Sequence, residues 1–364
     1  MRQKTFLSVI PFLGLGLSAL LIAFWSGLVR IGWNLPATPQ LTISHGALIL
    51  NGFLGVLIPL ERAVALRRRW MFLAPMLNGV GWVVWFISPL VAKSLFLSAS
   101  LIMVGILGVM LRRESQLHTV TMLLGGLSWM FGNLLWLLGN AIFQVVLFWI
   151  AFLVLTISGE RLELNRVLKI SDRDRNIFKG IVGVLSAAAI LSLFQLDWGV
   201  RLSAVSYLCL FAWFLRKDIA FRNLRHPQPL TRFISIGLAS GFIWLGLSGV
   251  LYLVVGKVVA GVYYDALLHA LFVGFVGSMI FGHAPMIFPA LFGLPARFSK
   301  VLYFPWLLLQ FSLIARLIGD FTLWADLRRW GGLFNILAAL LYLAMTVRLY
   351  LKRGTDANCD SLVS

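Results

Sequence analysis

Runs of roughly twenty apolar residues follow one another through this sequence, and short clusters of charge separate them. Hydrophobic residues make up 60% of the chain and charged residues 12%, and the mean hydropathy of +0.92 excludes a water-soluble globule. A bilayer core of ~30 Å is crossed by roughly 20 helical residues, so each run is long enough for one span. We predict an all-α, polytopic membrane protein whose helices form one bundle, a single integral membrane domain over 1–364.

About twelve spans are predicted. They fall near 6–29, 41–60, 70–91, 94–111, 119–138, 140–158, 177–196, 199–215, 232–255, 264–292, 301–319 and 330–350. An even number of spans places both termini on one side, and the excess of Lys and Arg in alternate loops predicts that this side is the cytoplasm. Arg328 and Arg329 are the exception to this charge bias, and a short polar cytoplasmic tail is predicted over 351–364.

The formal net charge of +18 comes from these short loops. Because the basic residues are scattered and not gathered on one face, they favour contact with anionic lipid over nucleic-acid binding. We therefore predict a multi-pass protein of the inner (cytoplasmic) membrane, with the lipid bilayer as its main partner. The oligomeric state stays open.

Three histidines lie inside or at the start of apolar runs, where an imidazole is costly and indicates a function. His45 and His269 are predicted at a similar depth near the outer surface, where both could ligate haem or a metal. His283 follows His269 by 14 residues, about 21 Å along a helix, and would serve a second centre, a proton path or a structural hydrogen bond. The alternative for each is a hydrogen bond to a neighbouring carbonyl. His118 and His226 are predicted to be solvated at cytoplasmic loops.

Small residues accompany the histidines. Gly52, Gly274 and Gly277 would give a flat macrocycle clearance, although glycine also allows transmembrane helices to pack closely. Pro285 removes the hydrogen-bond donor to the carbonyl of Phe281 and should kink the helix beside His283.

Three polar side chains could assist a site. Asp265 lies one turn before His269 and could accept a hydrogen bond from its ring, which would fix the tautomer. Glu61 either neutralises Arg62 or admits protons, and Asn51 either links helices or takes part in proton handling.

The motif HGALILNGF, from His45 to Phe53, resembles the HAHEMLFGF-type motif of the NnrS family. HALFVGFVGSMI, from His269 to Ile280, resembles that family's later HALTVGAIGLMT-type motif. NnrS proteins are haem- and copper-containing membrane proteins linked to nitric oxide, with a layout similar to subunit I of haem-copper oxidases. The resemblance implies that His45 and His269 are cofactor ligands. Ala47 and Leu48 replace a histidine and a glutamate of the family motif, and GHAP replaces its GHTGR. Such a site either keeps haem and loses copper, or binds a single metal with His283 or an open position in place of the lost imidazole.

Three functions remain open from the sequence. The first is a haem- or copper-binding protein of nitrogen-oxide or respiratory metabolism, a membrane oxidoreductase or a sensor, supplied with electrons by a quinol or a periplasmic donor. The second is a proton-coupled secondary transporter that uses the intramembrane histidines. The third is a non-catalytic subunit of a respiratory complex.

Overall fold

The computed structural model describes the backbone of residues 2–165 and 170–360 and the side chains of 9–165 and 170–350. Those residues form helices and no strand. The helices are α1 (Arg2–Arg30), α2 (Pro39–Ile43), α3 (His45–Leu66), α4 (Leu73–Val84), α5 (Pro89–Arg113), α6 (Leu117–Leu137), α7 (Ile142–Leu164), α8 (Asp172–Leu191), α9 (Leu196–Lys217), α10 (Ile219–Arg222), α11 (Pro229–Val255), α12 (Gly261–Phe292), α13 (Tyr303–Phe321) and α14 (Ala325–Asp360).

Ten helices within the described ranges are long and apolar enough to cross a membrane, which is the architecture of a multi-pass membrane protein and confirms the predicted all-α class. The predicted segments 70–91 and 177–196 differ from these ten. Helix α4 has 12 residues, about 18 Å of helix, and α8 begins with the charged sequence DRDR. The predicted tail over 351–364 is helical to Asp360, and its last four residues lie outside the described ranges.

The helices form two compact units. Unit 1 comprises Met1–Trp213 and Gly249–Ala260, and unit 2 comprises Phe214–Ser248 and Gly261–Ser364. The prediction of a single membrane domain in one bundle stays a prediction.

Buried asparagines link the helices of unit 1. The indole nitrogen of Trp129 on α6 donates to Asn51 Oδ1 on α3 at 2.9 Å. Asn133 on α6 accepts from Trp149 Nε1 at 3.1 Å and donates to the carbonyl oxygen of Phe96 at 3.2 Å. Each bond satisfies polar groups that could not form hydrogen bonds to water inside a bilayer. The predicted linking role of asparagine is therefore confirmed for Asn51.

The two long helices that begin near a histidine change geometry soon after it. In unit 1, α3 is π-helical over Leu48–Leu54, and in unit 2, α12 is π-helical over Ala270–Gly277. π-helical stretches are rare and frequently occur at functional sites. Neither stretch was predicted from the sequence, because both segments have the apolar pattern of a continuous α-helix.

A proline follows each π-helical stretch, and the two units compensate for it in the same way. Pro285 frees the carbonyl of Phe281, which accepts a hydrogen bond from the Tyr342 hydroxyl at 2.6 Å. In α3, Pro59 frees the carbonyl of Gly55, which accepts from Asn78 Nδ2 at 2.6 Å. A side chain from another helix thus replaces the missing backbone donor in both units, as a membrane-spanning helix requires.

We expect Tyr342→Phe to destabilise the protein by about 1–3 kcal/mol, because it leaves the buried carbonyl of Phe281 without a donor. The measurement is thermal unfolding in detergent. Tyr263→Phe is the matched control, since Tyr263 is 40% exposed. Equal melting temperatures for Tyr342→Phe and the wild type would contradict this account of Pro285.

Candidate functional site

His45 begins α3 and lies against α1. Its Nδ1 is 2.8 Å from the carbonyl oxygen of Ala23, and because a carbonyl can only accept, Nδ1 carries the proton. A methyl group at Gly27 would come within 2.9 Å of the imidazole, so glycine is what allows the ring to approach α1. The ring is thereby fixed in one tautomer, with the lone pair on Nε2.

Two further hydrogen bonds hold the start of α3 in place. The Ser26 hydroxyl on α1 donates to the carbonyl of Leu41 at 2.6 Å. Trp85 Nε1 donates to the Ser44 hydroxyl at 2.7 Å, one residue before His45. Hydrogen bonds from Ser26 on α1 and from Trp85 therefore help to fix the position of His45.

His269 ends the first α-helical part of α12 and has the same tautomer. Its Nδ1 lies 2.8 Å from the carbonyl oxygen of Asp265 and 3.3 Å from Asp265 Oδ1. The Asp265 carboxylate thus lies near the ring, but the hydrogen bond of the ring goes to the backbone oxygen of Asp265, and the predicted role of the carboxylate in fixing the tautomer stays a prediction. His283, which is buried, donates from Nδ1 to the carbonyl of Met279 at 2.9 Å, so all three imidazoles carry their lone pair on Nε2.

Asp265 belongs to a buried ion network in unit 2. Arg316 Nη2 donates to Asp265 Oδ2 at 2.8 Å, and Arg328 Nη2 lies 3.4 Å from the same oxygen. Arg328 Nε is also 2.8 Å from Asp320 Oδ1, in ion-pair contact without hydrogen-bond alignment. Two carboxylates and two guanidinium groups sum to zero formal charge. Neutrality of this kind is what makes burial of four charges tolerable in a bilayer.

Two glycines bring these charges together. A methyl group at Gly319 on α13 would lie 2.5 Å from the backbone nitrogen of Arg328, and one at Gly331 on α14 would lie 2.7 Å from that of Arg316. Helices α13 and α14 therefore meet backbone to backbone at the two arginines, and Asn335 Nδ2 donates to the Ser312 hydroxyl at 2.6 Å.

Sequence reasoning missed Arg316 and Asp320. Ser312, Arg316 and Asp320 recur every four residues in an otherwise apolar run, which places them on one face of α13. That periodicity was the available signal. The network also explains the exceptional Arg328, since a guanidinium paired with two carboxylates reports an ion network and not the side of the membrane.

The glycines near the histidines contact protein. A methyl group at Gly52 would lie 2.8 Å from Ala19 Cβ, and one at Gly274 would lie 2.7 Å from the Trp244 indole. At Gly277 the neighbours, the nearest 3.6 Å away, are at ordinary contact distance. Close packing thus accounts for Gly52 and Gly274, and macrocycle clearance stays a prediction.

A second group of charges lies at the end of α3 in unit 1. Arg62 forms an ion pair with Glu160 of α7, and the two side chains are 11% and 22% exposed. Glu61 is half-buried and lies within electrostatic range of Glu160 and Glu163. Arg62 is thus neutralised across helices, and proton entry at Glu61 stays a prediction.

The prediction of a solvated His118 is wrong. His118 is the second residue of α6, which begins two residues before the predicted span of 119–138, and only 7% of its surface is exposed. Its Nε2 lies 3.9 Å from Glu114 Oε2. His226 is partly exposed in a loop, as predicted, and its Nδ1 accepts from the backbone N–H of Gln228 at 3.2 Å.

The imidazoles are donors of a type that both haem iron and copper accept. A histidine that held haem iron would bind it through Nε2 with Nδ1–H hydrogen-bonded, and the contacts of His45 and His269 Nδ1 with backbone carbonyls fit that role. The described residues contain no group of three or more His, Cys, Asp or Glu side chains that could hold a metal ion.

We expect Arg62→Met to destabilise the protein by about 1–3 kcal/mol, because it leaves the partly buried Glu160 carboxylate without Arg62. The double variant Arg62→Met with Glu160→Gln removes both charges and should recover much of that loss. Thermal unfolding in detergent measures both. Additive effects of the two single variants would show that the ion pair is not coupled.

A family model described as a domain of unknown function, DUF8744, matches residues 9–351. No curated protein matches the chain, and neither does any solved structure.

Proposed function

The chain belongs to the DUF8744 family of unknown function, and on that premise we propose that it is a haem-binding membrane protein in which His45 and His269, one in each unit, would be haem ligands. One observation carries this proposal, namely that each unit has a histidine followed by a π-helical stretch. The Nδ1 of each histidine is bonded to a backbone carbonyl, which belongs to α1 for His45 and to its own helix for His269.

The two helices also match in their later parts. Each has a proline 14 or 16 residues after the histidine, and each proline's freed carbonyl is bonded by a side chain of another helix. His283 stands two residues before Pro285, where α3 has Leu57. The parallel therefore supports His45 and His269 as equivalent ligands and gives His283 a separate role.

Haem would supply one-electron chemistry, and this chain's residues would orient and hold the ligands. His45 is hydrogen-bonded to α1, and His269 lies in contact with Asp265. The resemblance to NnrS supports a role in nitric oxide or respiratory metabolism. If the protein is redox-active, we propose that a quinol or a periplasmic donor supplies its electrons. We further propose the twelve-span layout with both termini in the cytoplasm, for which the charge bias of the loops is the support.

We expect detergent-purified protein to show a Soret band that is lost or strongly reduced in His45→Ala and in His269→Ala. Absorption spectroscopy with iron and copper analysis measures this. His226→Ala is the control, because His226 lies in a loop and bonds only locally. A colourless, iron-free wild type that unfolds cooperatively would sink the proposal. A shift of the reduced Soret band on adding nitric oxide would support the nitric oxide role.

The ion network of unit 2 favours a second candidate, a proton-coupled secondary transporter. It predicts that proteoliposomes loaded with a pH-sensitive dye respond to an added carboxylate or inorganic anion, and that Asp265→Asn abolishes the response. Protein that is colourless and active in this assay would favour transport. Haem-loaded protein without flux would exclude it.

A further inference from the structure

Asp265 places a carboxylate beside the candidate ligand His269, and two arginines compete for that carboxylate. We propose that Asp265 is a positioning residue that strengthens His269 as an iron ligand, and that Arg316 and Arg328 limit how much of its charge acts on the imidazole. This inference rests on the proposed haem-binding function, and it assigns roles to residues that the resemblance to NnrS does not cover.

The distances define the competition. Asp265 Oδ1 is 3.3 Å from His269 Nδ1, while Oδ2 is 2.8 Å from Arg316 Nη2 and 3.4 Å from Arg328 Nη2. One carboxylate oxygen therefore faces the imidazole and the other faces the guanidinium groups. A negative charge beside Nδ1–H makes Nε2 a stronger donor, and positive charges on the far oxygen weaken that effect.

Asp320 determines how strongly Arg328 acts on Asp265. Its side chain is completely buried, and it lies 2.8 Å from Arg328 Nε, so one guanidinium is divided between two carboxylates. Arg316 on α13 donates a hydrogen bond to Asp265 on α12. Because the side chains of Asp265 and Arg316 are only 16% and 8% exposed, solvent screens these interactions weakly.

The Asp265 carboxylate would lower the midpoint potential of a bound haem iron. A stronger imidazole donor stabilises ferric iron relative to ferrous iron and lowers the midpoint potential. Removing the Asp265 charge should therefore raise the potential and weaken haem binding. Removing the positive charge of Arg328 should lower the midpoint potential.

The first experiment compares Asp265→Asn with wild type in a haem titration and a redox titration. We expect haem affinity to fall about 10- to 100-fold and the midpoint potential to rise. Asp197→Asn in unit 1 is the matched control, because Asp197 also pairs with an arginine, Arg201, at 2.8 Å. Equal affinity and potential in Asp265→Asn and wild type would overturn the inference.

The second experiment uses the double variant Arg328→Gln with Asp320→Asn. This change removes one positive and one negative charge together, so Asp320 is not left buried and unpaired, and Asp265 keeps Arg316. We expect the midpoint potential to fall. A general disruption of the site would move the potentials of Asp265→Asn and of the double variant in the same direction, and that result would overturn the inference.

Failure of the proposed function is distinguishable from failure of this inference. If wild-type protein binds no haem, the proposed function fails, and NMR of the cofactor-free protein with 15N-labelled histidine still tests the contact. We expect the Nδ1–H resonance of His269 to shift in Asp265→Asn and to stay unchanged in Asp197→Asn. An unchanged resonance in both variants would show that the carboxylate does not act on the ring.

Discussion

Every backbone polar group inside a bilayer must find its partner within the protein, and this requirement underlies most of the structure described here. It is visible where the helices carry proline. Asn78 bonds the carbonyl freed by Pro59, and Tyr342 bonds the carbonyl freed by Pro285. The imidazoles of His45, His269 and His283 are likewise hydrogen-bonded inside the protein, each through Nδ1 to a backbone oxygen. In a neutral ring that arrangement leaves the lone pair on Nε2.

Charged side chains inside the bilayer also need partners within the protein, and burying them costs more free energy. Unit 2 buries two aspartates and two arginines near His269, and unit 1 pairs Arg62 with Glu160. Each set is balanced, because an unpaired charge in a low-dielectric region destabilises far more than a pair does. In unit 2 the close approach of α13 and α14 at Gly319 and Gly331 is what makes the balance geometrically feasible. In this region the charge balance therefore depends on the close helix packing that the two glycines allow.

Some of the candidate site could be predicted from sequence. A histidine in an apolar run is conspicuous, and Asp265 lies one helical turn from His269, so their contact follows from local geometry. Arg316 and Asp320 were missed, although they share a face of α13 with Ser312, because their partners lie on other helices. The π-helical stretches were missed because hydropathy does not distinguish them from α-helix. His118 was misplaced because a helix boundary is uncertain by a residue or two.

The sequence by itself determined the class of protein and the positions of its long helices, because a run of about twenty apolar residues has one stable form in a membrane. It also determined which imidazoles and prolines those helices contain. Only the tertiary structure decided what each of these groups contacts. The donor to Phe281 comes from Tyr342, the carboxylates that hold Arg328 come from Asp265 and Asp320, and the carbonyl that fixes His45 comes from Ala23. Most of these partners lie on separate helices, and their meeting depends on how the helices pack, which local sequence pattern does not encode.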